Sequence, residues 1–153
     1  FIFDIDGVLT DGNLLIHTDG QMLRTMNIKD GYALQLAIKQ GYSISILSGA
    51  KGDAIEKRLL GLGVEHIHLG IEDKLKKFEE ITKQYAISLS QTLYMGDDMP
   101  DLEVMKQVAL PCCPADACSE VIAISSYISP YTGGKGCVRD VIEKVLKLNG
   151  KWR

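Results

Sequence analysis

Carboxylates are concentrated in two short segments of this sequence. Asp4 and Asp6 close an apolar run, and three more carboxylates lie in the segment Gly96-Asp-Asp-Met-Pro-Asp101. Since side chains alternate along a strand, residues 4 and 6 leave the backbone on the same side. Carboxylates packed together raise one another's pKa unless a cation lies among them. Oxygen ligands without nearby histidine or cysteine favour Mg²⁺, so the sequence predicts a magnesium site.

Two other segments carry groups suited to an anionic substrate. Ser48 and Gly49 follow an apolar run, and Lys74 lies in the first turn of a helix expected from Glu72. Each piece alone also has an ordinary structural interpretation, because Asp-Gly and Gly-Asp are common in turns and serine often caps a helix. Four such segments at four strand ends are harder to explain as turns. We therefore expect them to form one site.

The spacing of apolar residues predicts the scaffold for this site. Short apolar runs alternate with amphipathic stretches, which is typical of a parallel sheet wound with helices. The expected strands cover 1–5, 43–47, 65–69, 92–95 and 108–111, and the expected helices cover 31–40, 53–60, 72–85, 100–106, 115–123 and 138–148. The predicted fold is α/β, a three-layer Rossmann-like parallel sheet. Ligands of such sheets bind at the carboxyl ends of the strands.

Residues 13–26 depart from this alternation. Both halves of the segment carry apolar and β-branched residues, and Asp19-Gly20 at the middle is a strong hairpin signal. We expect a small β-hairpin, inserted within residues 12–29, beside the end of the first strand. A disordered excursion is the alternative.

Length and composition limit the classes of protein. The 153 residues predict a single domain over 1–153, and 46% hydrophobic with 24% charged residues is an ordinary globular composition. A net charge of −3 gives no basic excess for nucleic acid, and no apolar stretch is long enough for a membrane span. The four cysteines form no C-x-x-C pair and indicate structural thiols in a reducing compartment.

The first residues bear on localisation. The chain opens on Phe1-Ile2-Phe3 without a methionine or a basic segment. We therefore expect a few residues to precede it, no signal peptide, and a cytoplasmic location.

The motifs together resemble those of the haloacid dehalogenase superfamily of phosphohydrolases. In order they are Asp4-Ile-Asp-Gly-Val-Leu-Thr10, Ser48, Lys74 and Gly96-Asp-Asp-x-x-Asp101. The resemblance implies that Asp4 is the nucleophile, which forms an aspartyl-phosphate, and that Asp6 is the general acid and base.

The same resemblance implies ligands for the metal and the phosphate. Mg²⁺ would be held by Asp4, the main-chain carbonyl of Asp6 and Asp97, with Asp98 and Asp101 in support. The residues implied in substrate binding are Thr10, Ser48, Gly49, Arg58 and Lys74, of which Ser48 and Lys74 would grip the phosphate oxygens.

Within the superfamily, the chain is similar to the small sugar-acid phosphatases. The segments that carry this similarity are residues 6–12, Lys29-Asp30-Gly31, and Gly133-Gly-Lys-Gly136 with Arg139. The implied substrate is a phosphorylated 3-deoxy sugar acid of lipopolysaccharide synthesis. The leading candidate is the eight-carbon 3-deoxy-D-manno-octulosonate 8-phosphate. The nine-carbon 2-keto-3-deoxy-nonulosonate 9-phosphate is the alternative. A non-catalytic oligomerisation domain, like that beside sialic-acid cytidylyltransferases, is the alternative from another class.

The sequence has no room for a cap domain over the site. Only the hairpin separates the first strand from the first helix, and one helix and one strand separate Ser48 from Lys74. The resemblance implies a homotetramer in which hairpins associate and neighbours complete the pocket. Arg58 would then bind a sugar carboxylate in a neighbour's site, or remain a solvated surface arginine. Ala50 and Glu56-Lys57 depart from the family's pattern, which leaves the choice of sugar open.

Overall fold

Eight short strands form two sheets in the computed structural model, which describes residues 1–153. The strands are β1 (Ile2–Phe3), β2 (Leu15–Ile16), β3 (Met22–Leu23), β4 (Ser45–Leu47), β5 (His66–His68), β6 (Leu93–Met95), β7 (Leu110–Cys113) and β8 (Tyr127–Ile128). Six of them form a parallel sheet in the order β5-β4-β1-β6-β7-β8, and β2 and β3 form an antiparallel pair. The first strand thus lies near the middle of the main sheet.

Six helices cover the two faces of the main sheet. They are α1 (Ile28–Lys39), α2 (Asp53–Gly61), α3 (Lys74–Gln84), α4 (Leu102–Met105), α5 (Ser119–Ile124) and α6 (Cys137–Leu148). Neighbouring strand residues point to opposite faces, so Phe3 packs with α1, α2 and α6 while Ile2 packs with α3, α4 and α5. The three-layer α/β prediction is confirmed. No helix combines the length and the apolar character that crossing a lipid bilayer requires.

Capping side chains set helix starts that periodicity alone misplaced. Helix α1 begins at Ile28 rather than 31, because the Asn27 side chain accepts a hydrogen bond from the Lys29 N–H at 2.8 Å. Helix α3 begins at Lys74 rather than 72, because Asp73 accepts from the Lys76 N–H at 3.0 Å. Lys74 is therefore the first residue of its helix.

The carboxyl-terminal half differs most from the expected elements. The edge strand β8 of the main sheet was not predicted. Its two residues are too few to show an alternation of apolar and polar side chains, and the strand depends on pairing with β7. Helix α5 begins at Ser119 rather than 115, since the preceding segment is tied elsewhere by the Ala115 N–H, which donates to the Tyr131 carbonyl. Helix α4 keeps only four residues because Met99–Asp101 forms a separate tight turn.

The predicted hairpin is present between β1 and α1. Leu15 pairs with Leu23 and Ile16 with Met22. Its apolar side chains are exposed, namely Leu14, Leu15, Ile16, Met22 and Leu23. Only α2 and β5 lie between Ser48 and Lys74, so no cap domain covers the carboxyl edge of the sheet.

Candidate active site

The site is built around the loop that leaves β1. A wide turn over Ile5–Leu9 is closed by the Thr10 N–H, which donates to the Ile5 carbonyl at 3.0 Å. Gly7 has a φ of +84°, and a Cβ at this position would overlap the Asp97 carboxylate. Glycine is therefore required here for both its backbone conformation and the close approach of Asp97.

Lys74 holds two buried carboxylates at the centre of the site. Its Nζ lies 2.7 Å from Asp4 Oδ2 and 2.7 Å from Asp101 Oδ1, and all three side chains are less than a tenth exposed. Asp4 also accepts a hydrogen bond from the Ile5 N–H at 2.6 Å. The burial makes these charge-assisted contacts strong and fixes the direction of the Asp4 side chain.

Asp101 is saturated with hydrogen bonds. Its Oδ1 accepts from the Tyr94 hydroxyl at 2.6 Å as well as from Lys74, and its Oδ2 accepts from the backbone N–H groups of Asp97 and Asp98 at 3.1 and 3.4 Å. It therefore ties the loop after β6 to Lys74.

Three carboxylates from the two acidic segments converge in the structure. Oxygens of Asp4, Asp97 and Asp101 lie within 4.8 Å of one another. Lys74 supplies one positive charge against three negative ones, and the ligand atoms are all carboxylate oxygens. The donor set and the excess negative charge fit Mg²⁺.

The electrostatics of the cluster agree with this fit. Burial, followed by the like charge of Asp101, raises the pKa of Asp4 to about 6 although Lys74 and Ser48 lower it. Burial, followed by the charges of Asp4 and Asp101, raises the pKa of Asp97 to about 8. Although burial alone would lower the Lys74 pKa, Asp4 and Asp101 raise it, so the amine stays charged. When its carboxyls are ionised, the cluster thus has more negative than positive charge, even with the Lys74 ammonium present.

These shifts predict how pH and Mg²⁺ affect stability. A carboxyl whose pKa in the folded protein exceeds its ordinary value of 3.8 stabilises the metal-free fold at low pH. This contribution is lost as the pH rises through the folded pKa, which is about 6 for Asp4 and about 8 for Asp97. We expect the metal-free melting temperature to fall over this range. Mg²⁺ should raise it by at least about 5 °C near pH 8.5 and much less near pH 5.5.

Thermal melting in chelator and in MgCl₂ measures both effects. In metal-free protein, Asp97→Asn should reduce the fall of the melting temperature near pH 8, because the amide does not ionise. An equal shift by Mg²⁺ at both pH values would contradict the coupling between metal and carboxylates.

Asp6 lies on the rim of the cluster and contacts a residue that sequence reasoning missed. Arg24, which follows β3, binds it with two bonds, Nε to Oδ1 at 2.7 Å and Nη2 to Oδ2 at 2.9 Å. The Thr10 hydroxyl donates to Asp6 Oδ1 at 3.2 Å, and it also accepts from the Gly7 and Gly12 N–H groups. Thr10 is fully buried. Its contacts orient Asp6, and its predicted contact with substrate stays a prediction.

Ser48 and Gly49 follow β4, next to β1 in the sheet. Ser48 is buried, and its hydroxyl accepts from the Ala50 N–H at 3.2 Å. The Ser48 side chain is also close enough to Asp4 to lower the pKa of that carboxyl. Gly49 is exposed, whereas Ala50 is buried. The pairing of β4 with β1 thus places Ser48 beside Asp4.

The side chains of two predicted residues form no hydrogen bond with the carboxylate cluster. Asp98 is exposed and caps the next turn by accepting from the Met99 N–H at 2.8 Å. Arg58 is exposed on α2, with its guanidinium against Gly31 of α1. Their predicted roles, support of the metal and binding of a sugar carboxylate in a neighbouring subunit, stay predictions.

The glycine-rich segment 133–136 supports the loop after β1. The Gly134 N–H donates to the Val8 carbonyl at 2.9 Å, and a Cβ at Gly133 would overlap the Gly7 carbonyl. Cys137 follows, and its thiol donates to the same Val8 oxygen at 3.2 Å. The carboxyl-terminal segment is therefore a backbone support for the site.

Asp30 fixes the helix that carries this support. Its Oδ1 accepts from the Arg139 N–H at 2.8 Å, in the first turn of α6, whose own cap position is a glycine. Burial raises the pKa of Asp30 to about 6. This contact was not predicted, since nothing local in the sequence links residue 30 to α6.

Comparison with protein families gives a match over the middle and carboxyl-terminal part of the chain. The model of the haloacid dehalogenase-like hydrolases matches residues 67–142. Among curated proteins, the 3-deoxy-D-manno-octulosonate 8-phosphate phosphatase of Escherichia coli K12 is 35% identical over 150 residues, which cover 98% of this chain and 80% of the relative.

Solved structures share the fold of this chain, and two of them hold a divalent metal ion. A 3-deoxy-D-manno-octulosonate 8-phosphate phosphatase from Moraxella catarrhalis, solved with magnesium, phosphate and KDO, has a TM-score of 0.92 and 35% identity over 96% of this chain and 84% of that one. The cobalt-bound phosphatase of Haemophilus influenzae has a TM-score of 0.93 and 29% identity over 98% and 88%. The match thus extends over nearly the whole chain.

Proposed function

We propose a magnesium-dependent phosphatase activity on 3-deoxy-D-manno-octulosonate 8-phosphate, because the chain belongs to the family of haloacid dehalogenase-like 3-deoxy-D-manno-octulosonate 8-phosphate phosphatases. The observation that carries the proposal is the buried Asp4 held by Lys74 beside Asp97, at the carboxyl edge of the sheet. The products are the free sugar acid and inorganic phosphate.

The reaction proceeds in two displacements. In the first, an Asp4 oxygen forms a bond to phosphorus and the phosphorus–oxygen bond to the sugar breaks. The sugar oxygen keeps the electron pair and takes a proton from the Asp6 carboxyl. In the second, water attacks phosphorus, its proton passes to the Asp6 carboxylate, and the bond to Asp4 breaks to release phosphate.

The remaining residues bind charge and hold the nucleophile. Lys74 keeps Asp4 in place from one side, and its ammonium faces the position of the phosphate oxygens. Ser48 and the N–H of Gly49 bind other oxygens of the same phosphate. Asp101, whose oxygens are already engaged, acts by holding Lys74 and the loop of Asp97.

Mg²⁺ would be held by Asp4, Asp97 and the main-chain carbonyl of Asp6. When bound, it supplies positive charge that offsets the carboxylates and the phosphate oxygens. The side chains of Asp98 and Asp101 support this ligand set from the loop after β6.

The pocket requires further chains for closure. The exposed apolar hairpin residues support a homotetramer in which hairpins associate. Arg58, exposed on α2, binds the sugar carboxylate in a neighbouring subunit. We place this single-domain enzyme in the cytoplasm, without nucleic-acid or membrane partners.

Steady-state kinetics on two substrates test the assignment. We expect kcat/KM for octulosonate 8-phosphate in Mg²⁺ to exceed that for 2-keto-3-deoxy-nonulosonate 9-phosphate at least about tenfold, which corresponds to about 1.4 kcal/mol in transition-state binding. The reverse ratio would assign the nine-carbon substrate, the option left open by Ala50. No turnover of either would favour a non-catalytic oligomerisation domain.

A further inference from the structure

The hairpin contributes one charged side chain to the active site. Arg24 lies directly after β3, and its side chain is only 9% exposed although the neighbouring hairpin residues face solvent. Its Nη1 also donates to the Met22 carbonyl at 3.3 Å, which ties the guanidinium to the hairpin backbone. The remaining donors Nε and Nη2 face Asp6.

The contact with Asp6 has the geometry of a bidentate pair. Both carboxylate oxygens are bound, at 2.7 and 2.9 Å, so the plane of the carboxylate is fixed with respect to the guanidinium. Thr10, at 3.2 Å, is the other side chain that binds Asp6, and it contacts one oxygen only. Without Arg24 the Asp6 carboxylate would be held by the single Thr10 contact to one oxygen, which does not fix the plane of the carboxylate.

Orientation matters for the task proposed for Asp6. A proton donor must lie within hydrogen-bond distance of the leaving oxygen, and a small displacement of a reacting group is costly. The Asp6 side chain is 35% exposed, so packing does not hold it as it holds Asp4. Its position therefore depends on hydrogen bonds.

We propose that Arg24 is a positioning residue, which orients the Asp6 carboxyl for proton transfer to the leaving oxygen and so makes the hairpin part of the catalytic machinery. The proposal rests on the role assigned to Asp6 under the proposed function. It predicts that loss of Arg24 lowers kcat/KM most for substrates whose leaving group most needs a proton.

A series of aryl phosphates measures this need directly. In Arg24→Ala, we expect kcat/KM to fall about threefold for p-nitrophenyl phosphate, whose leaving group needs little protonation, and about 100-fold for octulosonate 8-phosphate, with phenyl phosphate between them. The plot of log kcat/KM against leaving-group pKa should be steeper than in the wild type. Arg24→Lys, with one contact in place of two, should fall between Ala and wild type.

Two further measurements separate positioning from a merely structural role. Added guanidinium ion should restore part of the activity of Arg24→Ala, because it can occupy the vacated space beside Asp6. Gln21→Ala, an exposed change in the same hairpin, should leave the plot unchanged. Melting temperature and oligomeric size should match the wild type in all variants.

An equal loss of kcat/KM on every phosphate, with no response to guanidinium, would overturn the proposal. So would a rise in KM confined to the sugar acid, which would assign Arg24 to substrate binding. The aryl series needs no natural substrate, so the proposal can fail while octulosonate 8-phosphate is turned over, and it can hold if another sugar phosphate is the substrate.

Discussion

Replacement of Asp4 with asparagine is expected to lower turnover at least about a thousandfold while leaving the fold intact. The amide has nearly the shape of the carboxylate but is not a nucleophile toward phosphorus. Lys74 keeps its bond of 2.7 Å to Asp101 and is not left unpaired. Because one of three mutually repelling carboxylates is removed, the melting temperature of the metal-free variant should equal or exceed that of the wild type.

Phosphate release in Mg²⁺ and thermal melting measure the two sides of this prediction. Acid-quenched wild type, caught during turnover, should yield a phosphorylated peptide that contains residue 4, and the variant should not. Asp11→Asn, in the same loop but outside the carboxylate cluster, is the matched control and should keep activity within about threefold of the wild type. Activity of more than a few per cent in Asp4→Asn would contradict covalent catalysis by this residue.

The second large effect concerns the stability supplied by Lys74. Its ammonium is 6% exposed and bridges Asp4 and Asp101, which are 9% and 1% exposed. Lys74→Met keeps much of the side-chain volume but leaves these carboxylates without their cation. Removal of one partner from a buried ion pair costs about 3–5 kcal/mol, and we expect a loss of that size in the free energy of unfolding at neutral pH without metal.

The dependence on conditions identifies the cause of this loss. The destabilisation should shrink at low pH, where the carboxyls take up protons, and in Mg²⁺, which replaces part of the missing charge. Turnover should fall by at least about 100-fold even in saturating Mg²⁺, because the ammonium is also proposed to bind the phosphate oxygens. Lys76→Met, exposed on the same helix, is the control and should change neither quantity. Denaturant unfolding with and without Mg²⁺ checks the first expectation, and an equal loss of stability under all conditions would contradict it.

The sequence predicted those parts of the site that depend on strand ends. Asp4, Ser48 and Asp97 follow strands of a parallel sheet, and the carboxyl ends of such strands meet at one edge whatever the details of packing. The hairpin was likewise predictable, because Asp19-Gly20 is a local signal. Local patterns were therefore sufficient to place these three residues at one edge of the sheet.

Contacts between distant side chains left no such signal. Arg24 reaches Asp6 across 18 residues, and Asp30 reaches the backbone of Arg139 across 109. Both contacts depend on how the hairpin and α6 fold back over the sheet. Neither the periodicity of apolar residues nor the spacing of motifs in the sequence predicts this. The hydrogen bond by which the Asp98 side chain caps the next turn was also not predicted, although the acidic motif drew attention to this residue. Residue type at a strand end is informative, but the direction of a side chain depends on the packed structure.

The support given by the glycine-rich segment has a consequence for synthesis of the chain. The loop after β1 is made first, yet the Cys137 thiol that binds the Val8 carbonyl lies 129 residues later. A ribosome must therefore synthesise residues 133–137 before this contact can form, and contacts of such long sequence separation form slowly. Nascent chains carry all four catalytic motifs well before residues 133–137 emerge. The loop after β1 is therefore expected to gain this support only once residues 133–137 have been synthesised and α6 has docked.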